Sequence, residues 1–540
     1  AGILTRFAED EVRAVLRPSR IYALLLGEGF HPDVLRNALE RDRLFDRLWI
    51  DVQYRPELAK VIPAEQRDLW QGDIPMFTTR ANSRDLVGSD KHLYQDFFEE
   101  SGIELVKKRL QKLDERDLER QIWFIRGSLS TLALATEFGG WKSYSTFTPQ
   151  IIPTRQKQHS RCLEIAKEIG DRLELLALGS ESDTTWIGVA LVGGKHWSLQ
   201  PLNWSLYDGL SGVILFLAYL GAITAEKRYT NLARAGLRTL QNQIQQNESL
   251  IKLIGGFSGW GGIIYTLTHL GVLWQQPELL EEAVGLVSFI KAKISQDKEL
   301  DLIDGAAGCL ASLLALYACL PSDAVIAAAI ECGDRLLAEF QPQENRSWVF
   351  PEERDRKGFA HGIPGIAWAL LELGNITNEE RFREFAVTVA NSLALNPQKQ
   401  EDELVIWCNS VPGVGLANLR FLQDGEGGQI LAEVKAAIDI VLNRGFGLNH
   451  CLCHGDLGNL EFLLQAQDIL NVNQWNAEID RIAAMILESI DKYGWLCGVP
   501  LGVETPGLMT GIAGIGYGLL RLAEPQRIPS VLTLTPPILS

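Results

Sequence analysis

Cys408 and the adjacent pair Cys453-His454 are the residues best suited to chemistry. Together they offer two thiols and an imidazole, the number of protein donors a catalytic zinc site uses when it keeps its fourth position open. Adjacent residues on a regular helix point about 100° apart. Cys453 and His454 can therefore serve one metal only from a turn that precedes a helix, and Gly455 permits such a turn. Cys451 is either a fourth ligand, which would make the metal structural, or a bystander thiol. A lone cysteine is ordinarily a small buried hydrophobe, so the weight falls on three donors recurring in equivalent places.

Those places belong to a repeat. The stretches beginning at Tyr207, Gly256, Asp304, Gly358, Trp407, Cys451 and Gly507 all read as a G-x-x-G turn opening an apolar run, with starts 49, 48, 54, 49, 44 and 56 residues apart. Between them lie amphipathic stretches of helical period, such as the one following Glu226. Each unit is thus one buried helix plus one surface helix. Units of this kind stack, and the buried helices are apolar on nearly every face, which an open superhelix would leave partly wet. The sequence therefore predicts an all-α fold, a closed α/α toroid of about seven inner and seven outer helices, preceded by a smaller mainly helical segment. If all units are alike, the inner helices start at one mouth, where unpaired N–H groups and helix dipoles favour anions.

Two more polar residues stand in equivalent turns: His361 in Gly358-Phe-Ala-His-Gly and Asp208 in Tyr207-Asp-Gly. On a closed ring they would converge on the metal from the other side. Each also has a plainer reading, His361 as a hydrogen-bonded tie within its turn and Asp208 as a helix N-cap, a role the equivalent Asp304 also suits.

Composition narrows the function classes. The net charge is −17, with 30 Lys/Arg against 45 Asp/Glu after residue 130, a poor balance for binding nucleic acid. Eight scattered cysteines do not read as a disulfide framework, and reduced thiols in a cytoplasmic protein are expected. No signal peptide opens the sequence. Leu253 to Pro277 has no charged residue and on hydropathy alone resembles a membrane span, but it carries six glycines and repeats the phase of the other units, so a buried inner helix is expected.

The order Tyr-Asp-Gly, G-x-x-His-Gly-x-x-Gly, Trp-Cys, Cys-His-Gly and Gly-Leu-Met-Thr-Gly-Ile-Ala-Gly resembles the lanthionine cyclases, the LanC-like proteins, over about residues 155 to 525. The resemblance implies an α/α toroid, Zn2+ held by Cys408, Cys453 and His454, and His361 and Asp208 on the catalytic face. One departure is Ser410, where the family usually has glycine; it is expected to narrow the approach of a peptide. The stretches Val12 to Tyr22, Phe30 to Asp33 and Asp73 to Arg80 resemble the end of the dehydratase domain of class II lanthipeptide synthetases, the LanM type. There an arginine and a threonine six residues later assist phosphate elimination, which would make Arg13 and Ser19 the corresponding pair; the plainer reading makes Arg13 and Arg17 surface charges of an amphipathic helix. The implied domains are 1–150, the tail of such a dehydratase without its kinase-like portion, and 151–540, the zinc-dependent cyclase. Dehydration is not expected from this chain alone.

The implied activity is addition of cysteine thiolates of a precursor peptide to its dehydroalanine or dehydrobutyrine residues, closing thioether rings. His361 would supply the α-carbon proton. The alternative is a LanC-like zinc protein that binds a thiol or peptide without cyclising it. Toroid enzymes of other chemistry need aspartate-rich motifs or paired carboxylates, and the turns offer only Asp208, Asp304 and Asp456.

Overall fold

The computed structural model describes residues 2–133, 142–180, 182–193, 196–340, 358–392, 404–425, 427–471 and 473–538. It forms two compact bodies, Ala1–Glu119 and Arg120–Ser540.

In the larger body the seven apolar runs are helices: Leu210–Thr224, Trp260–Leu273, Ala306–Cys319, Ile363–Thr377, Val411–Gln423, Asp456–Leu470 and Ile512–Ala523. Each packs on the next, and the seventh packs on the first, so the ring closes. Their first two turns are buried on every side, and in Leu210–Thr224 the burial runs from Leu210 to Gly221, which is why no amphipathic stripe marks them in the sequence. The charge-free run becomes the inner helix Trp260–Leu273. Among the described residues no helix is long and apolar enough to cross a membrane.

Six outer helices follow their inner partners in sequence: Lys227–Asn247, Pro277–Ile294, Asp323–Glu339, Glu380–Ser392, Gln429–Arg444 and Asn476–Tyr493. The seventh inner helix is covered by Arg155–Leu176, which precedes the first unit. The seventh hairpin is therefore assembled from distant parts of the chain. After it, residues 525–538 turn back: the Tyr517 hydroxyl donates to the Pro529 carbonyl and the Tyr265 hydroxyl to that of Thr535, each at 2.8 Å. Leu534 is buried, and a Cβ on Gly256 would stand 2.5 Å from its Cδ1.

A circle of backbone hydrogen bonds fixes the seven turns side by side. Tyr207 N–H donates to Phe257 O (3.0 Å), Phe257 to Ile303 (3.2 Å), Leu302 to Ala360 (3.1 Å), Ala360 to Cys408 (3.0 Å), Cys408 to Cys453 (3.3 Å), Cys453 to Met509 (3.0 Å) and Met509 back to Tyr207 (2.7 Å). All seven inner helices consequently start at the same end, as the sequence predicts. The second glycine of each G-x-x-G explains itself here. A Cβ on it would come within 1.6 Å (Gly514) to 2.8 Å (Gly262) of the carbonyl oxygen six residues earlier, closer than any side chain tolerates. The first glycine is the N-cap, in extended conformation, in six turns, and Ser410 takes that place in the fifth.

The smaller body holds an antiparallel four-stranded sheet, Glu11–Ala14, Phe77–Arg80, Leu86–Val87 and Leu93–Tyr94 in that order, with short helices including Ser19–Gly29 and Ile62–Gln71. Arg13 lies on the first strand, not on a helix. Arg17 is buried: its Nε donates to Glu65 Oε1 at 2.9 Å, its Nη1 to Asp51, and the Tyr22 hydroxyl donates to the same Glu65 oxygen at 2.5 Å. A buried charge needs partners of this kind, so Arg17 anchors the body instead of decorating its surface.

Candidate active site

Counting back from each N-cap exposes a common register. The residues two before it are Tyr207, Phe257, Ile303, Ala360, Cys408, Cys453 and Met509. Those one before it are Asp208, Ser258, Asp304, His361, Asn409, His454 and Thr510, polar in every turn. Cys408 and Cys453 thus hold the same register position in neighbouring, hydrogen-bonded turns, which brings their sulfurs into contact. The bond from Cys453 pulls the Cys408 thiol below its ordinary pKa against the pull of burial, helped by the charge of His361. The same bond, with burial, pushes Cys453 well up, so the pair parts with its first proton at the Cys408 end. The Tyr207 hydroxyl donates to Cys453 Sγ at 2.9 Å.

His454 Nε2 lies 2.8 Å from the Gly498 carbonyl. A carbonyl only accepts, so Nε2 carries the proton and Nδ1 is the lone-pair nitrogen. Burial lowers the imidazole to a pKa of about 4, holding it neutral. A Cβ on Gly498 would stand 2.6 Å from His454 Nε2 and 2.5 Å from Cys451 Sγ, so this position admits glycine alone; nothing in the repeat flags it. Cys451 Sγ accepts the His454 backbone N–H at 3.5 Å, and burial pushes its thiol well up. Among the described residues, no three His, Cys, Asp or Glu side chains are drawn together closely enough to hold a metal ion. The structure gathers the two thiols and holds the His454 imidazole against the Gly498 carbonyl, without drawing all three donors into one cluster.

His361 shares the register position of His454, two turns away. Its Nδ1 is 2.8 Å from Asp301 Oδ2, and the carboxylate is 2% exposed while the imidazole is 43% exposed. Burial alone would lower the His361 pKa; the hydrogen bond and charge of Asp301, with Cys408 and Asp304 behind them, carry it above the ordinary value. Asp301 was not singled out by the sequence, because it stands outside the register, three residues before Asp304, whose backbone N–H its Oδ1 accepts at 2.7 Å. The carboxylate bonded to His361 is therefore Asp301. That of Asp208 accepts from Thr510 N–H (3.0 Å), Met509 N–H (3.1 Å) and the Thr510 hydroxyl (2.5 Å), tying the first turn to the seventh. Burial lifts Asp208 to a pKa of about 6, opposed by those donors.

Ser410 does not project into the mouth. Its Oγ accepts the Ile406 N–H at 2.8 Å and donates to the Ile406 carbonyl at 3.0 Å, closing its own turn. The hydroxyl is thus committed to its own backbone. Phe257, Phe359 and Trp407, from the second, fourth and fifth turns, form an aromatic cluster with ring centroids 5.8 Å (Phe257 to Trp407) and 6.1 Å (Phe359 to Trp407) apart, all three fully buried. In the smaller body, Arg13 Nη2 donates to Ser19 Oγ at 3.3 Å, both side chains exposed.

Known proteins resemble the chain in both bodies. A domain of unknown function, DUF4135, matches residues 1–80. The lacticin 481/lactococcin biosynthesis protein LcnDR2 of Lactococcus lactis subsp. lactis is 24% identical over 558 residues, covering 96% of this chain and 56% of that protein, so the chain spans about half the length of this relative. Among solved structures, nisin cyclase is 17% identical with a TM-score of 0.48, over 70% of this chain and 98% of its own. Cellobiose 2-epimerase from Bacillus thermoamylovorans is 13% identical with a TM-score of 0.34, over 57% of this chain and 100% of its own. The model of lanthionine synthetase C-like proteins matches residues 200–533, which takes in all seven turns of the ring and more than half of the sequence, and the chain belongs to that family.

Proposed function

We propose that residues 151–540, the bulk of the larger body, are a zinc-dependent lanthionine and methyllanthionine cyclase acting on a dehydrated precursor peptide, within a bifunctional enzyme whose dehydratase ends in residues 1–150. The observation that carries it is the convergence at one mouth of a contacting thiol pair, Cys408 and Cys453, and an aspartate-backed histidine, His361. A relative named for lacticin 481/lactococcin biosynthesis supports a peptide substrate.

Cys408, Cys453 and His454 would hold the metal. The donor chemistry fits: the two sulfurs give up their first proton readily and hold the second between them, and a neutral imidazole with its Nε2 proton committed to a backbone carbonyl is the form in which histidine ligates. Zinc bound there would keep a substrate cysteine as its thiolate at neutral pH. The rest falls to the chain. The N-termini of seven inner helices favour the anionic sulfur and the enolate that forms when it adds to the β-carbon of the dehydro residue. His361, whose Nδ1–H is held by Asp301, turns its other nitrogen to that enolate and gives it the α-carbon proton. Asp301 offsets the imidazolium charge and fixes the ring. Asp208 acts by closing the ring of turns. Arg13 and Ser19 would assist phosphate elimination once the remainder of a dehydratase is supplied.

Incubation of the protein with a dehydrated precursor peptide, followed by thiol alkylation and mass spectrometry, tests the reading. Loss of alkylatable thiols without a change of peptide mass is the expected result. Retained thiols with retained binding would leave a thiol-binding protein that makes no rings.

A further inference from the structure

We infer that Tyr207 is a positioning residue for the metal centre, weakening Cys453 as a donor relative to Cys408 through its hydroxyl-to-sulfur hydrogen bond. The inference rests on the reading that Cys453 is a metal ligand. Its geometry is independent of that reading: the phenol oxygen stands 2.9 Å from Cys453 Sγ.

Tyr207 is placed with unusual care. Its N–H donates to Phe257 O and its carbonyl accepts from both Leu508 N–H (3.1 Å) and Met509 N–H (2.7 Å), so it is held by turns on either side. Its ring packs edge-on against Phe257, centroids 6.4 Å apart. From this anchored backbone the side chain spans the seventh turn, which lies between the first and the sixth in the ring, to reach the sulfur. Phe257 occupies the same register position one turn on and carries no hydroxyl. The hydroxyl is therefore not required by the turn, and its partner is the thing that distinguishes the two positions. Asp208 next to it already supplies the structural tie to the seventh turn.

A hydrogen bond to a thiolate draws charge from the sulfur lone pair and lowers its donation to a bound cation. Two equal thiolates would leave a metal electron-rich and slow to take a third sulfur. With Cys453 damped by Tyr207, Cys408 would be the stronger donor, and a metal held there would stay receptive to the thiol of the incoming peptide. No bond is made or broken by Tyr207; it keeps its proton throughout.

The test uses the full chain freed of metal and titrated with Co2+, whose thiolate-to-metal charge-transfer band reports sulfur donation directly. Tyr207→Phe should bind cobalt in the same ratio as the parent but with the band moved to longer wavelength, and zinc affinity should change by about 10-fold. Placing 3-fluorotyrosine at position 207, a stronger donor of the same shape, should move the band the other way, and it covers the case in which the phenylalanine variant folds poorly. Phe257→Leu, which loosens the ring packing but keeps the hydroxyl, should leave it in place. A parent band that neither Tyr207 variant moves would overturn the role of Tyr207 while leaving the ligand assignment standing. The absence of any thiolate band in the parent would overturn the ligand assignment and this inference with it.

Discussion

The second and fifth turns of the ring share a backbone and differ in what they carry. In the second, Phe257 and Ser258 precede the N-cap; in the fifth, Cys408 and Asn409 do. Both residues at the first of these positions donate their N–H to the next turn and accept from the one before. The circle is made by main chain, so side chains at this register position are free to vary without loosening it. Phe257 there packs into an aromatic cluster with the buried Trp407 of the fifth turn, and Cys408 and Cys453 there form a thiol pair. Chemistry in this fold is thus installed by substitution at two places per turn, while the glycines that let the turns nest are held by contact with carbonyl oxygens. The comparison separates positions that set stability from positions that set activity.

The largest effect should come from the cargo. Cys408→Ala is expected to abolish ring closure and zinc retention while leaving thermal unfolding within about 1 kcal/mol of the parent, since a small half-buried side chain is removed; unchanged metal content by elemental analysis would defeat the ligand assignment. The converse substitution is Gly308→Ala in the third turn, where a Cβ would stand 1.9 Å from the Leu302 carbonyl. It should cost roughly 2–4 kcal/mol in urea denaturation, because backbone cannot yield as a side chain can. Gly285→Ala on the outer helix Pro277–Ile294, where nothing lies within 4 Å of the added carbon, should instead stabilise by about 0.5–1 kcal/mol.

Asp301→Asn sharpens the contrast between the bonded and the merely nearby carboxylates. The His361 pKa is raised chiefly against burial by its Asp301 partner, so removing that charge lowers it. With His361 as the proposed proton donor, acting in its protonated form, the alkaline limb of the pH–rate profile should move to lower pH, with kcat down about 10-fold. Linkage has the same sign: the pair stabilises the fold fully below the ordinary histidine pKa and loses that contribution as pH rises through the raised one. A profile unmoved by the substitution would show that His361 is not the proton donor. The smallest effect belongs to Ser410→Gly, which restores the N-cap residue of the other six turns. Loss of the Ile406 hydrogen bonds should cost a few tenths of a kcal/mol, and peptide KM should not change because the hydroxyl faces its own turn.

Much of this was legible in the sequence because it is local. The G-x-x-G spacing announces an inner helix, all-round apolarity announces a ring, and Cys408, Cys453-His454 and His361 announce the mouth. What escaped depends on partners far along the chain. Asp301 lies outside the repeat register and is recognised only when His361, 60 residues on, is seen against it. Gly498 matters because of where His454 and Cys451 come to rest. The hydroxyl of Tyr207 reaches a cysteine 246 residues away. The covering of the seventh helix by Arg155–Leu176 has no trace in either segment alone, and the sheet of the smaller body is built from strands too short for alternation to reveal.

The bond from Met509 to Tyr207 closes a loop of about three hundred residues, and its consequence is kinetic. An open solenoid gains stability one repeat at a time and can nucleate anywhere. A ring has no such partial credit: until the seventh turn docks on the first, the carbonyl of Tyr207 and the carboxylate of Asp208 lack their partners, and the hydroxyl that meets Cys453 is unanchored. Such long-range closure is slow. The Cys408–Cys453 pair, built by neighbouring turns, therefore gains the hydroxyl of Tyr207 only once the seventh turn has docked on the first.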